Sequence, residues 1–170
     1  ISATPVVSDD DILMTKQTYG QCHRDLSVDG NPLTISGITY SSGIGTHATS
    51  MIPITVPSTA KSLSGLCGVD DEVTDSAKSK SSVIFQILSG SEVLWSTDVM
   101  HKGDSAVPFD VPVPSGSKKL YLFVDEYDTN TNDHADWVDL KWINYSPTEL
   151  YSKQRPISKF PKLNTNTFED

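Results

Sequence analysis

The apolar runs of this chain are short, and that constrains its fold more than any other feature. They are only a handful of residues long, alternate or carry β-branched and aromatic side chains, and are closed off by Gly, Pro, Ser or Asp. Helical periodicity is hard to find. Ser82 to Leu88 (SVIFQIL) and Lys119 to Val124 (KLYLFV) are the clearest strands. Met51 to Val56, Glu92 to Trp95, Val107 to Val113 and Trp137 to Ile143 are weaker ones. Pro53, Pro108 and Pro112 belong at edges or bulges, because a central strand needs the N–H that proline lacks. With no alternation of strands and helices that would build a parallel sheet, the expected fold is all-β, an antiparallel two-sheet β-sandwich. Residues 15–145 are assigned to it. Residues 1–14 read as an N-terminal extension whose acidic run, Asp9 to Asp11, is a solvated surface. Residues 146–170, with three prolines and no periodicity, read as a linker or strap.

Charge narrows the partners. A net charge of -9 over 170 residues opposes approach to nucleic acid or anionic lipid, so a neutral ligand or a cation fits better. No apolar stretch is long enough for a membrane-spanning helix. A chain that begins at Ile1 is expected to be a processed or excised piece, from which export cannot be read directly. Two cysteines, Cys22 and Cys67, exclude a cysteine-only zinc cluster and a disulfide-dense miniprotein. They are either one bridge, contributing about 3 to 4 kcal/mol, or two buried thiols. His23, His47, His101 and His134 show no short zinc-ligand spacing.

Four segments read together carry a resemblance: Arg24 to Leu33 (RDLSVDGNPL), Gly37 to Ala48 (GITYSSGIGTHA), Gly68 to Val73 (GVDDEV) and Asp133 to Leu140 (DHADWVDL). Their order and spacing resemble the NPCBM family, carbohydrate-binding module family 51, over about Thr15 to Ile143. Ser81 to Ile87, Val93 to Met100 and Gly103-Asp104 add supporting matches. The resemblance implies a sandwich of jelly-roll type, usually fused to a secreted glycoside hydrolase, that binds terminal galactose or related blood-group glycans. It also implies a bound calcium and an extracellular location. The loop Glu126 to Asn132 (EYDTNTN) is more polar than the family pattern, so fine sugar specificity does not carry over.

The residues themselves fit a saccharide site. A neutral sugar is held by paired hydrogen bonds to vicinal hydroxyls and by an aromatic face against the C–H patch of the ring, supplied by loops at one end of a sandwich. His47, Asp70, Asp71, Glu72, Asp133, His134 and Trp137 all fall at predicted strand ends, and Tyr127 lies on a polar loop. Each has a plainer reading. His47, after the glycines Gly43 and Gly45, is either a sugar contact or a structural hydrogen-bond partner. The triplet Asp70, Asp71 and Glu72 either turns one or two members to the site or is a solvated turn. Period-two alternation places His134, Asp136 and Val138 on one side of the last strand, and Trp137 is either a stacking platform or core. Asp25, Asp29 and Asn31 around the turn VDGN, with Asp139 as a remote donor, offer oxygens to a calcium ion, although Asp-Gly-Asn is also ordinary turn chemistry.

The expected function is therefore non-catalytic glycan binding, as a module targeting an attached glycoside hydrolase or as a free lectin. Two other classes stay open. Clustered carboxylates are compatible with a small glycoside hydrolase. A sandwich used only for structure or protein contact is the third.

Overall fold

The computed structural model describes residues 5–76, 80–129 and 131–144. One short helix, α1 (Asp9–Leu13), precedes twelve strands: β1 (Lys16–Gln17), β2 (His23–Arg24), β3 (Leu33–Ile35), β4 (Ile38–Tyr40), β5 (Gly43–His47), β6 (Ser50–Thr55), β7 (Ser62–Val69), β8 (Ile84–Ser89), β9 (Glu92–Ser96), β10 (Val107–Pro112), β11 (Lys119–Asp125) and β12 (His134–Ile143). Two five-stranded antiparallel sheets, ordered β1-β6-β11-β8-β9 and β10-β7-β12-β5-β2, form the sandwich, and β3-β4 is a separate hairpin. All six strands expected from the sequence are present, and the all-β sandwich holds.

Proline placement follows from the ladder. Pro108 and Pro112 lie on β10, which is an edge strand. Pro53 lies on β6, where the two-residue β1 reaches only Met51 and Ser50, so the side of β6 at Pro53 is not asked for a donor by β1. Alternation then builds the core. In β11, Leu120, Leu122 and Val124 point inward and are fully buried, and Ile52, Ile54, Phe85, Ile87 and Leu63 meet them from neighbouring strands. Trp137 closes this core, wholly buried, with edge-on contacts to Phe85 at 5.1 Å and Phe109 at 5.8 Å.

The outward face of the second sheet is roofed as well. Val138 on β12 packs against Leu33 and Ile35 of the β3-β4 hairpin. Glycines make that close approach possible: a side chain on Gly45 would strike the backbone of Leu26 and Ser27, and one on Gly68 would meet Ile35 at 2.6 Å. β5 and β7 were missed by strand propensity for the same reason, since their sequences GIGTH and SLSGLCGV trade β-branched bulk for small residues that admit a layer above.

Two further expectations change. The acidic run Asp9 to Asp11 is a solvated surface only in part: Asp9 and Asp10 are exposed, but the run is the first turn of α1, where Ser8 and Asp11 cap each other's backbone N–H, and Asp11 is buried. Val6 and Val7 pack into the core beside it. Cys22 and Cys67 are both buried and free, and burial pushes the Cys22 thiol up to about 11. No helix among the described residues is long and apolar enough to cross a membrane. Residues 146–170 lie outside the described residues.

Candidate functional site

His47 ends β5 and His134 begins β12, and the antiparallel register pairs them directly. Their rings lie 5.1 Å apart, tilted by 58°. Tyr19 makes a second ring contact with His47, also at 5.1 Å. Together with Thr131 and Asn132 these side chains line an open cavity of about 250 Å³.

Hydrogen bonds fix the proton on each imidazole. His47 Nδ1 lies 2.7 Å from the Ala48 carbonyl, which can only accept, so Nδ1 carries the proton. Burial foremost, with the neighbouring His134 as a further cause, lowers the pKa of His47 and keeps the ring neutral. Its Nε2 is consequently an acceptor. His134 Nδ1 lies 2.6 Å from Glu72 Oε2. Burial opposes charge on His134 too, but the Glu72 bond outweighs it and raises the pKa, so the ring takes up a second proton more readily than a free imidazole. Its Nε2 donates when that second proton is bound, and in that state the two rings have opposite polarities.

Glu72 is what holds His134. It follows β7, and its Oε1 accepts from Ser27 Oγ at 2.5 Å and Asn31 Nδ2 at 2.8 Å. Burial alone would raise its pKa, yet the bonds from His134, Ser27 and Asn31 prevail and lower it to about 2. Asp29 adds its Oδ2 3.8 Å from His134 Nδ1.

The other sequence-predicted residues are elsewhere. Asp70 is buried and braces the backbone, accepting from Thr34 N at 3.2 Å and Glu72 N at 2.9 Å. Asp71 ties down the hairpin turn through Ser36 N and Gly37 N. The triplet is therefore neither a solvated turn nor a set of pocket carboxylates; only Glu72 acts on a pocket residue. Asp133 is buried with Oδ1 2.9 Å from Ser82 N, and burial pushes its pKa up to about 7. It does not line the cavity. Tyr127 is exposed at 59% and likewise is not part of the lining. Trp137 is no stacking platform: its position in β12 is odd where His134 and Asp136 are even, so it points into the core.

The proposed calcium donors do not converge. Asp25 Oδ1 accepts from Gly43 N and Asp139 Oδ1 faces Ser42 Oγ, at the start of β5. Asp29 and Asn31 sit with Glu72 and His134, by the other end of that strand, and β5 separates the two pairs by about 13 Å at ~3.3 Å per residue. A cavity of about 330 Å³ at the start of β5 is lined by Arg24, Asp25 and Ser42, but the Arg24 guanidinium is engaged by Asp9 and the Val7 carbonyl.

Sequence reasoning missed Tyr19, Thr131 and Asn132. Tyr19 lies outside all four matching segments, and its proximity to His47 depends on β1 pairing with β6. Nothing in its local pattern marks it.

The NPCBM/NEW2 domain model matches residues 3–142. An alpha-1,3-galactosidase B of Akkermansia muciniphila is 49% identical over 134 residues, which are 77% of this chain and 16% of that protein. A putative endo-alpha-N-acetylgalactosaminidase of Renibacterium salmoninarum is 31% identical over 131 residues, 76% of this chain and 8% of that protein. The chain thus spans a small part of the curated relatives it matches. Among solved structures, a CBM51 from Clostridium perfringens GH95 in complex with methyl-galactose superposes with a TM-score of 0.68 at 27% identity, covering 76% of this chain and 92% of that one. CBM51-2 of Clostridium perfringens ZmpB, solved with GlcNAc and INT domains, gives a TM-score of 0.68 at 31% identity, covering 88% and 34%.

Proposed function

The chain belongs to the NPCBM/NEW2 domain family, and from that premise we propose that it is a non-catalytic carbohydrate-binding module whose Tyr19–His47–His134 pocket takes a terminal galactose or closely related sugar. The observation that carries the reading is the pair of facing imidazoles, each with its Nδ1 held by a fixed partner. His47 Nε2 accepts, and His134 Nε2 donates when the ring held by Glu72 carries its second proton, which is what two neighbouring sugar hydroxyls need, one donating and the other accepting. Tyr19, 61% exposed against His47, offers the aromatic surface for the ring's C–H patch.

Size supports a terminal residue. At about 250 Å³ the cavity is below the roughly 300–1,000 Å³ of sites for drug-sized ligands, so it holds one ring rather than a run of sugars. Galactose in one structural neighbour and GlcNAc in another keep both sugars under test. Catalysis fits poorly, because among the described residues no carboxylate lines the cavity, and Glu72, ionised and bound by three donors, has no proton to give. A purely structural sandwich would leave the pair of polarised rings without a use.

Relatives that carry this domain as a small part of a glycosidase support a role in tethering an attached extracellular glycoside hydrolase to its glycan, which raises the local concentration of substrate. The test is a glycan array with and without chelator, followed by competition with free galactose and free GlcNAc. Binding competed by galactose is expected. Release of reducing sugar, or an array with no bound glycan, would overturn the reading.

A further inference from the structure

Carboxylates stand beside both rings of the pocket without lining it. Asp29, in the turn before β3, is exposed and holds Oδ2 3.8 Å from His134 Nδ1. Glu126, directly after β11, is half-buried and accepts Thr49 Oγ1 at 3.0 Å, and Thr49 follows His47 by two residues. Their charges reach the paired imidazoles. Burial foremost lowers the pKa of His47, and Asp29 and Glu126 are the carboxylates that push it the other way. Asp29 acts in the same sense on His134.

Positive charge does not offset them. Among the described residues no Lys or Arg lines the cavity. Arg24 is engaged by Asp9, and Lys102 gives its ammonium to the Val73 carbonyl. His134 takes up a second proton, but Glu72 Oε2, 2.6 Å away, balances that charge. Behind His134, Asp70 adds a further negative charge and shares a side-chain hydrogen bond with Asp136. A pocket in this setting suits a neutral sugar and repels an anionic one. At water-like screening, a carboxylate about 7 Å from a second negative charge weakens binding about threefold, so two of them set a penalty of about tenfold at low salt.

We propose that Asp29 and Glu126 form an electrostatic filter, which admits terminal galactosides without acidic substituents and turns away those capped by a sulfate ester or a carboxylated sugar. The filter rests on the function proposed above and adds the class of glycan that the pocket selects. It also sets an order of events. Where the terminal galactose carries an acidic cap, hydrolysis of that cap must come before this domain binds. Water then replaces the cap, leaving a free galactose hydroxyl and releasing sulfate or a free acidic sugar.

Calorimetry at pH 7 with methyl-galactoside, its 3-O-sulfate and its 6-O-sulfate tests the filter in the wild type, Glu126→Gln, Asp29→Asn and the double variant. Each is measured at about 10 mM and about 1 M salt, where charges are screened beyond about 30 Å and about 3 Å. The readout is the ratio of neutral to sulfated affinity within each protein, so that any change in the hold on His134 cancels. The wild-type ratio should be at least about tenfold at low salt and about twofold or less at high salt. Each single substitution should lower the low-salt ratio about threefold, and the double variant should bring it near the high-salt value. Glu126→Gln, which keeps an acceptor for Thr49, should bind the neutral sugar as the wild type does. A ratio unmoved by salt and by both substitutions would mean that shape excludes the esters, and would overturn the filter. Equal affinity for neutral and sulfated sugar at low salt would overturn it as well. The wild-type salt series decides the matter if the variants do not fold. Neutral sugar bound without discrimination leaves the proposed function standing and removes the filter, whereas no neutral sugar bound in any condition would refute both.

Discussion

Replacing Glu72 with alanine is the sharpest perturbation of the site that leaves its cavity lining in place. Three bonds are lost: from His134 Nδ1, from the buried Ser27 Oγ and from Asn31 Nδ2, which is at the surface. The charge-assisted bond to His134 is worth roughly 2 kcal/mol, the buried hydroxyl about 1 and the exposed amide about 0.5, so Glu72→Ala should lower unfolding free energy by about 3 to 4 kcal/mol at pH 7. Urea denaturation measures it. The sign of the pH dependence follows from the depressed pKa of about 2. Glu72 contributes fully above its ordinary value of about 4.3, and that contribution is lost as pH falls towards the folded-state value. The gap between variant and wild type should therefore close in strong acid. In the same variant the pKa of His134, followed by NMR, should drop, since burial is then opposed only by the charges of Asp29 and Asp70, and galactoside affinity should fall with it. A loss smaller than about 1 kcal/mol, or an unmoved His134 titration, would refute the claim that Glu72 sets this ring.

The remaining expectations concern the core, the buried acid and the pocket. Trp137→Ala should cost about 3 to 5 kcal/mol by urea denaturation, and a near-neutral result would take Trp137 out of the core. Asp133 has a folded pKa raised to about 7, so relative to its unfolded value of about 3.9 the wild type is favoured below pH 4 and loses that contribution as pH rises to 7. Asp133→Asn, which keeps an acceptor for Ser82 N, should raise the melting temperature at pH 8 and not at pH 4; equal changes at both would contradict the raised pKa. His47→Ala should abolish galactoside binding while keeping the wild-type far-UV spectrum. For the wild type, binding by calorimetry should weaken in acid as His47 is protonated below the ordinary histidine value of about 6.5, and weaken in base as His134 gives up its second proton above that value; a profile that strengthens towards either extreme would reverse the assigned polarity.

Bulk and alternation made part of this architecture legible. Strands such as β8 and β11 advertise themselves through Phe85, Ile87, Leu120 and Leu122. β5 and β7 do not, because what they contribute is the absence of side chains, at Gly45 and Gly68, under a layer that is distant in sequence. Period-two counting along the last strand correctly set His134, Asp136 and Val138 apart from Trp137, and following it through would have sent Trp137 to the core. His47, His134 and Glu72 were legible from the matching segments. Tyr19 was not, since only the pairing of β1 with β6 brings it to His47. The calcium donors failed for a related reason: four oxygens close in sequence, or credible in type, diverge once Gly43 claims Asp25 and Glu72 claims Asn31.

The most direct measurement follows the four imidazoles by heteronuclear NMR while methyl-galactoside is added. His47 and His134 should move together along one saturable curve, with the Tyr19 ring responding alongside, while His23 and His101 stay still. Saturable shifts confined to His23 or His101, or none at all at saturating sugar, would contradict a ligand seated between the paired rings.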